Sequence, residues 1–184
     1  MGCDFYKENP HLALAAGPAG AWDDLFTTNP TPHAFANGTV LLIYKARSFA
    51  RPDRMATGVA IADDWSGPYR RIAGSRPIDL PGDCEDAGIY YAQAMGVFRM
   101  LLHCGCSYQS VWSLDGVEWT RSAPAQPWCH VTYAGGAGAE RLDRRERPKW
   151  VVDAQGRPTH LINGVAPSVS HGKQTFTMIT EINP

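Results

Sequence analysis

The 184-residue sequence contains no apolar run approaching the roughly 18–20 residues that cross a bilayer. It carries no excess of charge of either sign, with 17 Lys+Arg against 18 Asp+Glu. That balance removes the strongly basic face that nucleic acid or an anionic membrane surface would select. Windows long enough for an amphipathic helix are also missing: Pro and Gly interrupt almost all of them, and apolar residues recur mostly at a spacing of two. No C-x-x-C pair occurs. The five cysteines (Cys3, Cys84, Cys104, Cys106, Cys129) are an odd number without metal-ligand spacing, and on a strand the thiols of Cys104 and Cys106 would share one face. A disulfide involving Cys84 or Cys129 stays open at this level, and with it the redox compartment. A G-x-S-x-G nucleophile elbow is absent, and "GGAGAE" (135–140) lacks the Lys-Ser/Thr of a phosphate-binding loop. The first ten residues, "MGCDFYKENP", have no apolar h-region, so they read as an arbitrary start and not as a secretory signal.

What the chain does have is 18 glycines, 14 prolines, six Trp and seven Tyr, a mixture suited to many short strands joined by tight turns. Three segments line up: "TTNPTPHAFANGTVLLIYKARS", "DCEDAGIYYAQAMGVFRMLLHCGCS" and "RRERPKWVVDAQGRPTHLINGVAP". Each runs from a polar or charged pair through a short strand and a Gly turn to a strongly apolar strand. With Asn29, Asp86 and Arg147 taken as equivalents, the spacings are 57 and 61 residues. "TGVAIADDWSGPYRRI" and "SVWSLDGVEWTRS" then supply a third and a fourth strand. The unit is the four-stranded blade of a β-propeller. The expectation is an all-β fold of antiparallel blades forming one partial propeller domain over 1–184. Blades are expected at about 26–73, 83–122 and 143–182, with 1–25 the tail of a preceding blade. Three blades fall short of the usual ring of about four to eight, so a longer propeller, or association of copies, is expected to complete it.

In a propeller the innermost strand of each blade flanks the central axis, so sites sixty residues apart meet at one mouth. The three aligned sites carry Asn29-Pro30, Glu85-Asp86 and Glu146-Arg147-Pro148. Two carboxylates in one pocket are what glycoside hydrolysis requires: one protonated to serve the leaving oxygen, one ionised. Asp86 and Glu146 are therefore expected to face a common hollow. Neighbours on a strand alternate faces, so one or two of Arg144, Arg145 and Arg147 would point inward to hold a carboxylate or a sugar hydroxyl. Tyr90, Tyr91, Trp112, Trp128, Tyr133 and Trp150 offer either stacking platforms or packing between blades. His33, His103 and His160 lie near the axis, and a lone strand histidine is usually a core residue.

These segments, with "EDAGIYY" and "RRERPKWVVDAQGRPTHLINGV" above all, resemble the later blades of five-bladed propeller glycoside hydrolases similar to family 43 and its arabinofuranosidase and xylosidase neighbours. The resemblance covers about residues 17 to 180, and Ala87 stands where the commoner pattern has Pro. It implies a central sugar-binding pocket served by three carboxylates. Glu146 matches the general acid, and Asp86 matches either the Asp that tunes that acid or a base. Asn29 occupies the equivalent place in the first blade, where an amide cannot act as a base, so the third carboxylate is expected on earlier blades. Glu85, Arg147, Arg145, Asn29 and His160 are the implied substrate-binding residues. No cofactor is implied beyond a structural calcium near the axis, for which His160 is the only pointer, and such relatives are often secreted or periplasmic. The reading is thus a glycosidase-like propeller acting on carbohydrate, without nucleic acid or membrane partners. Its alternatives are a non-catalytic carbohydrate-binding or scaffolding propeller and a truncated product.

Overall fold

The computed structural model describes residues 13–72, 77–80, 83–167 and 174–182. Among these the chain is all-β, with three antiparallel sheets, no α-helix and a single 3-10 turn at Ala134–Gly136. The first sheet is a meander of β1 (Phe26–Ala34), β2 (Val40–Ser48), β3 (Arg51–Ala62) and β4 (Arg70–Arg71). The second runs through β5 (Glu85–Ala92), β6 (Val97–Cys104), β7 (Ser107–Ser113) and β8 (Thr120–Arg121), with β9 (Gln126–Pro127) pairing the other end of β7. The third orders β10 (His130–Thr132), β11 (Ala139–Val152), β12 (Pro158–Pro167) and β13 (Phe176–Glu181). Its extra strand lies on the inner side, where β10 pairs the first residues of β11.

The strongly apolar second strands are explained by burial on both faces. Along β2, Leu41 and Ile43 pack with Phe98, Met100, Leu102 and Val111 of the second sheet. The alternate residues Leu42, Tyr44 and Ala46 are covered by Leu14 and Trp22. Residues 13–25 form no strand and lie across the first sheet. There Asp23 is fully buried, accepting hydrogen bonds from Tyr44 Oη (3.0 Å) and Arg71 Nε (2.6 Å). Leu101, Trp128, Leu142, Leu161 and Val165 fill the space between the second and third sheets. Each large apolar side chain so buried contributes roughly 1.5–3 kcal/mol.

Four of the five cysteines pair, Cys84 with Cys104 and Cys106 with Cys129; Cys3 lies outside the described residues. The "CGC" stretch does not sit on one strand. Gly105, with φ 64°, turns the chain between β6 and β7, so the two thiols serve different partners.

Strands β1, β5 and β11, one from each sheet, run side by side. Thr31 Oγ1 donates to Ala87 O (2.6 Å), Lys149 Nζ to both Thr31 Oγ1 (2.7 Å) and Ala87 O (2.8 Å), and Trp150 Nε1 to Gly88 O (3.1 Å). Gly88 permits the approach, since a Cβ there would stand 2.3 Å from the Pro148 carbonyl oxygen.

Candidate functional site

Asn29, Asp86 and Arg147 have φ of 48°, 53° and 53°, and among the described residues they are the non-glycine residues with positive φ. Each falls where its strand slips register against the next: between Thr28 and Thr31, Glu85 and Gly88, Glu146 and Lys149. A left-handed residue inside a bulge breaks period-two alternation and re-aims its side chain. The three bulges meet. Asn29 Nδ2 donates a hydrogen bond to Asp86 Oδ1, and Arg147 Nε lies 3.5 Å from Asp86 Oδ2. With Pro30 and Lys149 they line a hollow of about 200 Å³.

Asp86 is 6 % exposed and surrounded by donors. Besides Asn29 and Arg147, Lys45 Nζ comes from β2 to 3.2 Å of Oδ1. Burial alone would push its carboxyl pKa up, but the Asn29 hydrogen bond and the Lys45 and Arg147 charges outweigh that and hold it below the ordinary carboxylate value. Asp86 is therefore a fixed anion with both oxygens engaged. Lys149 shows the opposite balance: burial lowers its ammonium pKa, partly offset by Asp86.

Glu146 sits on the other side of Arg147. Its Oε2 accepts from Arg147 Nη1 at 3.0 Å, and Arg144 Nη1 lies 4.0 Å from Oε1. It lines a second hollow of about 300 Å³ with Arg144, Gly164 and Phe176. The two acids thus border adjoining hollows, with Arg147 as the wall common to both, where the sequence suggested a single shared one.

Glu85 is beside Asp86 but turned toward Lys45 Nζ (2.5 Å) and His103 Nδ1 (3.7 Å). Arg145 points away from both hollows. Buried, it donates to Asn163 Oδ1, Trp128 O and Thr180 Oγ1 and lies over the Trp128 ring at 4.9 Å. His160, on β12, pairs with Val151 of β11 and stands four residues along from Gly164, which faces Glu146; at about 3.3 Å per residue that is about 13 Å of strand. His33 is half-buried among Phe35, Tyr91 and Phe98, its pKa lowered by burial. Among the aromatics, Tyr90, Trp128 and Trp150 line a groove of about 480 Å³ between the second and third sheets, apart from the acids. Phe176 is the aromatic ring beside Glu146.

Sequence pattern did not single out Lys45, Lys149 or Thr31. For Lys45 a signal existed: it is the one charge within the apolar run "VLLIYKA". Glu85, Asp86 and His103 bring ligand-type atoms within 4.8 Å of one another, but the Lys45 ammonium lies among them.

No protein-family model matches the chain, and no curated protein matches it. Solved structures do. Zg3597, a family 117 glycoside hydrolase of the marine bacterium Zobellia galactanivorans, is 20 % identical with a TM-score of 0.57, over 91 % of this chain and 44 % of its own. The endo-arabinase of Bacteroides thetaiotaomicron is 14 % identical with a TM-score of 0.58, over 89 % and 58 %. A glycosyl hydrolase of Bacteroides ovatus is 10 % identical with a TM-score of 0.51, over 76 % and 41 %. The chain therefore spans about half the length of the structures it matches. What these likenesses establish is the fold: a partial β-propeller of the five-bladed glycoside hydrolase type.

Proposed function

We propose that this chain is part of a propeller glycosidase that breaks glycosidic bonds of oligo- or polysaccharides. In this reading Glu146 is the general acid and Asp86 the fixed anion that orients it through Arg147. The observation that supports it is the double contact of one guanidinium, 3.5 Å from Asp86 and 3.0 Å from Glu146. Glycoside hydrolysis divides labour between a carboxyl that gives up its proton and one that stays ionised. The donors around Asp86 suit it to the second role, and their number leaves it poorly placed to activate water or attack a sugar. The base would come from sequence beyond the matched half, since Asn29 has no proton-accepting nitrogen. On this reading 26–73, 83–122 and 143–182 are blades of a longer ring.

The test is Glu146→Gln, assayed with the rest of the ring present. Loss of a general acid should cost about 10²–10⁴ in turnover on glycosides with poor leaving groups. Aryl glycosides whose leaving group needs no proton should suffer far less. Equal turnover of mutant and wild type on both substrates removes Glu146 from the role. A non-catalytic carbohydrate-binding module is the second reading, favoured by Asn29 at the third mouth position. Oligosaccharide binding by calorimetry without product formation would select it.

A further inference from the structure

The chemistry around Glu85 does not need a sugar to be interpreted. Glu85, Asp86 and His103 are two carboxylates and an imidazole gathered within 4.8 Å, a donor set of the kind that binds manganese or zinc. His103 is 8 % exposed at its side chain. Its Nδ1 has no hydrogen-bond partner and stands 3.7 Å from Glu85 Oε1. An uncompensated buried nitrogen is costly, and beside two carboxylates it marks a place built around a cation. The place is taken: Lys45 Nζ is 2.5 Å from Glu85 Oε2 and 3.2 Å from Asp86 Oδ1, on a side chain only 11 % exposed.

We propose that the Lys45 ammonium is the resident cation of the Glu85–Asp86–His103 cluster, seated where these donors would otherwise hold a divalent metal ion. Charge balance makes the two occupants exclusive. Glu85 and Asp86 carry two negative charges, matched by Lys45 and by Arg147 at 3.5 Å. A divalent ion added to that set would leave two uncompensated positive charges in a partly buried site. With Lys45 gone, the set carries one net negative charge, and the same ion leaves a single excess positive charge in place of two. The Cys84–Cys104 disulfide braces the seat, since its cysteines adjoin Glu85 and His103, which are themselves opposite each other across β5 and β6. Lys45 is a positioning residue: it holds Glu85 back and leaves Asp86 facing Asn29 and Arg147.

This inference is independent of the glycosidase reading, because its test reads ion binding and folding. The chain is titrated with Mn²⁺, following the free-ion signal by electron paramagnetic resonance. Wild type and Lys45→Arg should show no saturable binding up to about 1 mM. Lys45→Met should bind one equivalent at least about tenfold more tightly than that limit. Adding Glu85→Gln or His103→Ala to Lys45→Met should remove the binding. If Lys45→Met does not fold alone, Mn²⁺ should restore its cooperative thermal transition. Binding by the wild type that Glu85→Gln abolishes would overturn the proposal. So would a folded Lys45→Met that ignores Mn²⁺, or an unfolded one that the ion does not rescue.

Discussion

The mouths of the second and third sheets have the same backbone and opposite surroundings. Asp86 is 6 % exposed, engaged at both oxygens and flanked by a disulfide one residue before Glu85. Glu146 is half-buried, and its partners Arg144 and Arg147 are open to water, with 54 % and 62 % of their side chains exposed. A bulge at each site supplies direction alone; what makes an acid rigid or free is the depth of its counter-charges. The buried mouth is thus suited to holding its acid in one place, and the open one leaves its acid accessible to water.

Removing each acid breaks the comparison most directly. Asp86→Ala leaves the buried Lys45 short of a partner and should cost about 3–5 kcal/mol in urea unfolding. Glu146→Ala, in the open pair, should cost under about 1 kcal/mol; equal losses would dissolve the distinction. Next comes the covalent brace. Replacing Cys84 and Cys104 by serine opens a crosslink 20 residues apart and should cost about 3 kcal/mol. It should also broaden the amide resonances of Asn29 and Asp86 more than that of Glu146. Gly88→Ala follows: its methyl would press the Pro148 carbonyl and wedge the two mouths apart, with an expected cost of about 1–3 kcal/mol. An unchanged midpoint would show that the inner strands are not held as closely as described.

Acid sharpens the contrast further. The Asp86 pKa is depressed in the folded state, so its contribution to stability is present above the unfolded value of about 3.9 and is lost as pH falls through the lower folded value. The stability gap between wild type and Asp86→Asn should therefore shrink as pH drops below about 4, in urea titrations from pH 7 to 2. A gap constant over that range would mean Asp86 is not held ionised. Smallest of all, Arg144→Ala removes an exposed contact of 4.0 Å and should stay within about 0.5 kcal/mol.

The all-β architecture and the equivalence of Asn29, Asp86 and Arg147 were legible because strand patterning and Gly turns are local signals. The three residues placed in register by pattern alone share a left-handed backbone. Face was less legible than position. Alternation counted along "RRERP" treats the strand as regular, whereas the slip between Glu146 and Lys149 brings Glu146 and Arg147 within 3.0 Å; Arg145, ahead of the slip, faces away from Glu146 and lies under Trp128. The cation partners were hidden for another reason. Lys45 belongs to the second strand of the first sheet and reaches an acid 40 residues on, a contact no repeat period reports. His160 illustrates the converse: adjacency to an acidic motif in sequence became separation along a hairpin.

The left-handed torsion shared by the three mouths has an evolutionary consequence. Because main-chain geometry decides where those side chains point, each position works as a socket that accepts a new chemical head while the strands stay still. Amide, carboxylate and guanidinium already occupy three copies of it. A rim assembled this way gives one main-chain direction to three different side chains, while the partners around each decide how costly its exchange is.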